Sequence, residues 1–155
     1  MRLKDKVIII TGSTMGIGKA IAIKFISEGA KLVIHGLEEE LAENLRKILG
    51  KENCIFHIED LANDGCSDRL VSLAIKKWNK IDGIVNNAAL VINSNIDNTD
   101  LKLLNGVLKV NTFAPFFLIK SALPYLTKSK GSVLNIGSVN AWSGEPNLLA
   151  YSISK

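Results

Sequence analysis

Short apolar runs rich in β-branched residues alternate along this chain with stretches of helical spacing, and that alternation leaves few folds open. Val7 to Thr11, Leu32 to Ile34, Ile55 to Ile58, Ile84-Val85 and Val133 to Ile136 read as strands. The first does not alternate with polar residues, so it is expected to be buried on both faces. Between the strands, apolar residues recur at helical spacing from Gly16 to about Glu28, from Glu38 to Leu49, from about Ser67 to Trp78, and roughly from Asp100 to Thr127. Gly29 and Gly50 stand where helices commonly stop. Strands separated by helices of this length form βαβ units and a parallel sheet. Right-handed crossovers then place helices on both faces. The expected fold is α/β: a doubly wound, Rossmann-like parallel sheet in three αβα layers. No repeat, linker or low-complexity tract divides the 155 residues, so residues 1–155 are expected to form one domain.

Composition removes several classes. An apolar fraction of 47% without a long like-charge block argues against intrinsic disorder. The most apolar stretch, Phe113 to Leu126, is interrupted by Lys120, Pro115 and Pro124, and it is shorter than the ~20 residues of a membrane span. The N-terminal run Val7 to Ile10 is too short for the apolar region of ~7–15 residues in a signal peptide. The 19 basic and 15 acidic side chains give a net charge of +4. They are scattered, without a basic stripe interleaved with aromatics, so nucleic acid is not an expected partner. Cys54 and Cys66 make neither a disulfide framework nor a zinc set. They read as reduced thiols of a cytoplasmic protein, with no metal expected.

The segment from Asp100 to Thr127 is apolar over more than the single stripe a surface helix needs. Two readings stay open: deep burial within the domain, or one face on the sheet and another against a second copy, as a homo-oligomer through residues 100–127.

Thr11-Gly12-Ser13-Thr14-Met15-Gly16-Ile17-Gly18 lies between the first strand and the first helix. Glycine permits a tight turn and close backbone approach to a pyrophosphate, and the helix start offers unpaired N–H groups. Gly12, Ser13, Gly16, Ile17 and Gly18 are therefore candidate cofactor-binding residues. Lys19-Ala20 supplies no magnesium-binding hydroxyl after the last glycine, which disfavours a nucleoside-triphosphatase loop. After the second strand comes His35-Gly36-Leu37-Glu38, without arginine and with glutamates at 38, 39 and 40. These charges would repel a 2′-phosphate, so NAD is favoured over NADP.

Ser138 follows the fifth strand, and Tyr151 and Lys155 lie one helical turn apart further on. In a helix both side chains share a face. An ammonium beside a phenol favours the phenolate, and a tyrosine so placed can exchange a proton with an alcohol or carbonyl oxygen. Ser138 can hydrogen-bond the same oxygen. Pro115 has no N–H for the carbonyl of Asn111, four residues before it. A kink is expected there, with a backbone acceptor left for water or Lys155.

With Thr11-Gly12-x-x-x-Gly16-x-Gly18, Asp60-Leu61, Asn86-Asn87-Ala88-Ala89, Asn111, Ser138 and Tyr151-x-x-x-Lys155 in this order, the chain resembles the N-terminal part of a classical short-chain dehydrogenase/reductase. The resemblance implies an NAD(P)-dependent oxidoreductase acting on a small-molecule alcohol or carbonyl substrate. It implies Tyr151 as acid/base and, with Lys155, as a cofactor-binding residue, and Lys155 as the group that lowers the tyrosine pKa and holds the nicotinamide ribose. Ser138 would orient the substrate oxygen, and Asn111 would support a water-mediated proton relay. Asp60 and Leu61 would border the adenine, and Asn87 would help shape the cofactor pocket.

Ala89 departs from the family's glycine, so the backbone there must be one that alanine tolerates. The sequence stops at Lys155 with five strands, where the doubly wound fold normally has six. A fragment is expected, with the fifth strand left as an exposed sheet edge and little dehydrogenase activity in the 155 residues alone. A catalytically silent dinucleotide-binding regulatory module and a purely structural protein are the competing readings. A sensor would have no physical need for the set Asn111, Ser138, Tyr151 and Lys155.

Overall fold

A computed structural model describes residues 1–50 and 52–155 of the chain. Branching at Cβ favours the extended backbone, and Val-Ile-Ile-Ile forms strand β1 (Val7–Ile10), with every residue buried. Helix α1 (Gly16–Ser27), β2 (Lys31–Gly36), α2 (Glu39–Leu49), β3 (Cys54–Ile58), α3 (Cys66–Trp78) and β4 (Gly83–Asn86) follow in strict alternation. The strands run parallel in the order β3-β2-β1-β4-β5, with β5 at Ser132–Asn135. This is the doubly wound sheet that the alternation predicts.

The pleat divides β1 between two cores. Val7 and Ile9 point into one cluster with Leu70, Ala74, Leu118 and Ala122, from the helices of one face. Ile8 and Ile10 point into the other with Ala22, Leu32, Ile34 and Leu45. Because consecutive strand residues face opposite sides, a strand between two helical layers must be apolar throughout.

The long apolar segment departs from the single kinked helix expected. It forms α4 (Leu101–Leu108), a π-helical turn (Lys109–Phe113) and α5 (Ala114–Ser129). In the wide turn the Ala114 N–H reaches back to Lys109 O. Pro115 falls in the first turn of α5, where its missing N–H costs little. The chain absorbs the proline by widening a turn, as π-bulges do.

One side of this segment is core: Val107, Ala114, Leu118, Ala122 and Leu126 are buried. Leu101, Phe113, Phe116, Phe117 and Leu123 are exposed. Strand β5 is a sheet edge, and all four of its residues are exposed. A short 3-10 turn (Val139–Ala141) and helix α6 (Leu149–Ser154) complete the described chain. Among the described residues no helix is long and apolar enough to cross a membrane.

Candidate active site

Strand order reverses between β1 and β4, and the crevice beyond their carboxyl ends is where open α/β sheets bind ligands. The glycine turn occupies its floor. Gly12 and Gly16 have φ of +61° and +54°, conformations that side chains disfavour. Gly18 is needed for closeness instead: a Cβ there would lie 2.3 Å from Gly12 O and 2.5 Å from the Asn87 side-chain nitrogen. Met15, at the N-cap of α1, supplies no side-chain acceptor, and the first turn holds no acidic residue. The Lys19 N–H bonds back to Met15 O. The N–H groups of Gly16, Ile17 and Gly18 precede that ladder and present the positive end of the helix to the crevice. An anionic pyrophosphate fits such a cradle.

Asn87 fixes the turn from the opposite side. Its side-chain amide donates to Thr11 O at 3.0 Å and to Gly12 O at 2.9 Å. The backbone N–H groups of Asn87 and Ala88 both donate to Thr11 Oγ1 at 3.1 Å. Ala89 is not among the residues with positive φ, so alanine meets no backbone strain in the position where glycine was the family expectation. Ser13 is fully buried. Its N–H donates to His35 O, its hydroxyl donates to Ile10 O at 2.7 Å, and its oxygen accepts the His35 N–H. These bonds are internal, so Ser13 shapes the turn and offers no free group to a ligand.

His35 escaped the sequence reading of the site, although a histidine closing an apolar strand signals a buried polar partner. The Gly12 N–H donates to its Nδ1 at 3.2 Å, so the ring hydrogen sits on Nε2 and faces Glu59 O at 2.8 Å. Burial pushes the His35 pKa down to about 4 from an ordinary 6.5, against the raising effect of the Glu59 carbonyl. The unfolded chain therefore takes up a proton near pH 6.5, and the folded one only near pH 4. Stability is complete above pH 6.5 and drains as pH falls toward 4, by on the order of 3 kcal/mol. Melting temperature against pH, compared with His35→Asn, checks this. The variant is expected to flatten the slope between pH 6.5 and 4, and an unchanged slope would assign it to other groups.

A cavity of about 380 Å³ opens above the turn. Gly12, Gly16, Ile17, Asp60, Leu61 and Asn87 line it, together with Leu37, Glu38, Leu41 and Val110. No lysine or arginine lies among its lining residues. Asp60 caps its own turn, its carboxylate accepting the Ala62 N–H at 2.8 Å.

Tyr151 and Lys155 lie on α6 and at its end. The Lys155 ammonium is 5.8 Å from the centroid of the Tyr151 ring, so the two share a side of the backbone. Lys155 Nζ donates to Ile136 O at 2.6 Å, directly after β5; of the two partners, water or Lys155, expected for the Asn111 carbonyl, Lys155 is thus engaged elsewhere. Ser138 starts the Val139–Ala141 turn, its Oγ accepting the Asn140 N–H at 3.2 Å, and this turn packs against α6. Asn111 sits in the π turn and is buried. It accepts the Leu90 N–H at 2.7 Å and donates to Leu90 O at 3.0 Å and to Ser154 Oγ at 2.8 Å. Asn111 thus joins the segment after β4 to α6. Ser154, which the sequence reading passed over, also donates to Tyr151 O at 2.7 Å.

Two other features stand apart. His57, Glu59 and Cys66 bring donor atoms within 4.8 Å of one another, but the Arg69 guanidinium holds both Glu59 oxygens. That pairing holds Glu59 down to about 2, while burial and the adjacent Glu59 push the Cys66 thiol up to about 12. The cluster is an ion-pair network around a protonated thiol. A larger groove of about 590 Å³ between the start of α3 and the face of α5 contains none of the glycine-turn or α6 residues.

The doubly wound sheet and its glycine cradle define a Rossmann-like dinucleotide-binding fold. The sequence model of the family described as short chain dehydrogenase matches residues 6–155, and the chain belongs to that family of oxidoreductases. It is 34% identical, over 99% of its length, to 62% of an NADP-dependent (R)-specific alcohol dehydrogenase of Lentilactobacillus kefiri. It is also 34% identical, over 99% of its length, to 57% of an NADPH-dependent aldehyde reductase 1, chloroplastic, of Arabidopsis thaliana. A short-chain dehydrogenase/reductase of unknown function from Caenorhabditis elegans, solved with cofactor, superposes with a TM-score of 0.92 at 31% identity, over all of this chain and 61% of the other. The chain spans about 60% of the length of such relatives.

Proposed function

We propose that the protein is an NAD(P)-dependent dehydrogenase/reductase that interconverts a secondary alcohol and a ketone in the cytoplasm. The observation that carries this reading is the Lys155 ammonium 5.8 Å from the Tyr151 ring, anchored at the carboxyl end of β5 on Ile136 O. The anion-ready start of α1 belongs to the same end of the sheet. A bound nicotinamide would supply the hydride acceptor or donor for the carbinol carbon. The Tyr151 oxygen takes the hydroxyl proton during oxidation and returns it to the carbonyl oxygen during reduction. Ser138 donates its hydroxyl hydrogen to that oxygen and holds it near the phenol. Lys155 places positive charge beside the ring and would hold the ribose hydroxyls of a bound cofactor. Asn111 keeps α6 in register with the segment after β4.

NAD is the favoured cofactor. Glu38 lines the cavity and no basic side chain does, so a 2′-phosphate would meet repulsion without a partner. The two relatives named above use the phosphorylated cofactor, which makes this a point of difference. The exposed Phe113, Phe116, Phe117 and Leu123 suit a second copy of the chain packing along α4 and α5.

The test is reduced-cofactor absorbance with a panel of secondary alcohols and ketones on the full-length protein. Turnover is expected, with kcat/KM about tenfold higher for NAD(H) than for NADP(H), a difference of ~1.4 kcal/mol. Cofactor binding without any turnover would point to a silent dinucleotide-binding module, and a preference for NADP(H) would overturn the role given to Glu38.

A further inference from the structure

Helix α6 carries Tyr151 in its first turn. Its own N-cap residue, Leu148, has no side chain able to accept a hydrogen bond. The missing acceptor comes from a distant part of the chain. Ser94 is fully buried, and its Oγ accepts the Ala150 N–H at 3.2 Å. Ala150 is the second residue of the helix, the position that an N-cap side chain serves. The backbone of Ser94 joins the same segment: its N–H donates to Asn147 O at 2.9 Å, and its carbonyl accepts the Leu149 N–H at 2.9 Å. The N–H, the carbonyl and the hydroxyl oxygen of Ser94 thus each bond a residue leading into Tyr151. A turn built by Asn95 follows directly, with its carboxamide oxygen accepting the N–H groups of Asp97 and Asn98 at 3.0 Å each, which steadies the platform.

We infer that Ser94 is a positioning residue for Tyr151, an N-cap lent across the fold that holds the first turn of α6 and so fixes the phenol against Lys155. The inference rests on the reading of Tyr151 as the proton-exchanging group. Lys155 has a separate anchor on Ile136 O. The far end of α6 is tied by Asn111 and Thr112 to Ser154. Loss of the hydroxyl removes the bond to the Ala150 N–H and loosens the Tyr151 end, while the Ser94 backbone bonds and the lysine anchor stay in place. The glycine turn lies across the crevice and makes no bond to Ser94.

In the full-length protein, Ser94→Ala is expected to lower kcat about tenfold, equivalent to ~1.4 kcal/mol, within the range that loss of an N-cap side chain costs. Cofactor affinity should stay within about twofold, because the cradle is untouched. Adding Leu148→Ser gives α6 a hydroxyl at its own cap, and the double variant is expected to recover at least half of kcat. Wild-type kcat in Ser94→Ala, a parallel loss of cofactor affinity, or no recovery in the double variant would each overturn the inference. Should Ser94→Ala fail to fold, hydrogen exchange at the Ala150 amide of the unaltered protein decides: protection supports the cap, and exchange at the rate of an unstructured chain rejects it. Tyr151→Phe run alongside separates the two ideas. If that variant keeps its turnover, the proton-exchange reading falls, while Ala150 protection still reports on the cap.

Discussion

Tyr151→Phe in the full-length protein is expected to lower kcat by about 10²–10⁴-fold, the usual worth of a positioned acid/base group, with NADH affinity within about twofold. The substitution removes one oxygen and keeps the ring, so the packing of α6 is preserved. The helix is held by bonds that do not involve the phenol: the Ala150 N–H to Ser94, Ser154 to Asn111, and Lys155 to Ile136 O. The cradle for the pyrophosphate lies on α1 and depends on Asn87, Thr11 and His35. Stopped-flow turnover and fluorescence titration with NADH read the two quantities apart. A loss confined to kcat identifies a group that acts on the transition state. Equal losses of turnover and cofactor affinity would instead make Tyr151 a binding residue.

Gly18→Ala is expected to act on both stability and binding, through steric contact and not through backbone freedom. Its added methyl would lie 2.3 Å from Gly12 O, 2.5 Å from Asn87 Nδ2 and 2.9 Å from Ser13 Cα. Two of these neighbours are backbone atoms of the turn, and the third is the amide that holds the turn closed. Something must give, and overpacking of this kind costs about 1–3 kcal/mol. Because the relief available is to push α1 away from the turn, NADH affinity should fall by roughly 100-fold, corresponding to ~2.7 kcal/mol. Gly106→Ala is the matched control. Gly106 lies within α4, and a Cβ there meets nothing within 4 Å. That change is expected to stabilise the protein by up to about 1 kcal/mol through helix propensity alone. Thermal melts of the two variants should move in opposite directions. A neutral Gly18→Ala would mean that the turn is looser than these contacts require.

The alternation of Val7–Ile10 and its fellow strands with helical spacing was enough to foresee a parallel, doubly wound sheet, because period and apolarity are local properties of a chain. The glycine turn was legible for the same reason, as was the pairing of Tyr151 with Lys155: one helical turn places them on one face wherever the helix lies. Pro115 signalled a defect in the long apolar segment but not its form. A kink and a π turn both accommodate a missing N–H, and the folded chain takes the latter. Spacing along the chain carried no sign that Lys155 would find Ile136 O, that Ser13 would turn wholly inward, or that His35 would accept the Gly12 N–H. Nor did it show Ser94 capping a helix that begins at Leu149. Apart from the local bond of the Ser13 hydroxyl to Ile10 O, these are bonds between residues far apart in sequence, and their partners are fixed only once βαβ crossovers bring strand ends to a common edge. The chain's own pattern set the periodic elements and the chemical groups available, whereas folding in three dimensions selected which polar group satisfies which, since a buried donor or acceptor must find a partner among whatever neighbours the topology supplies.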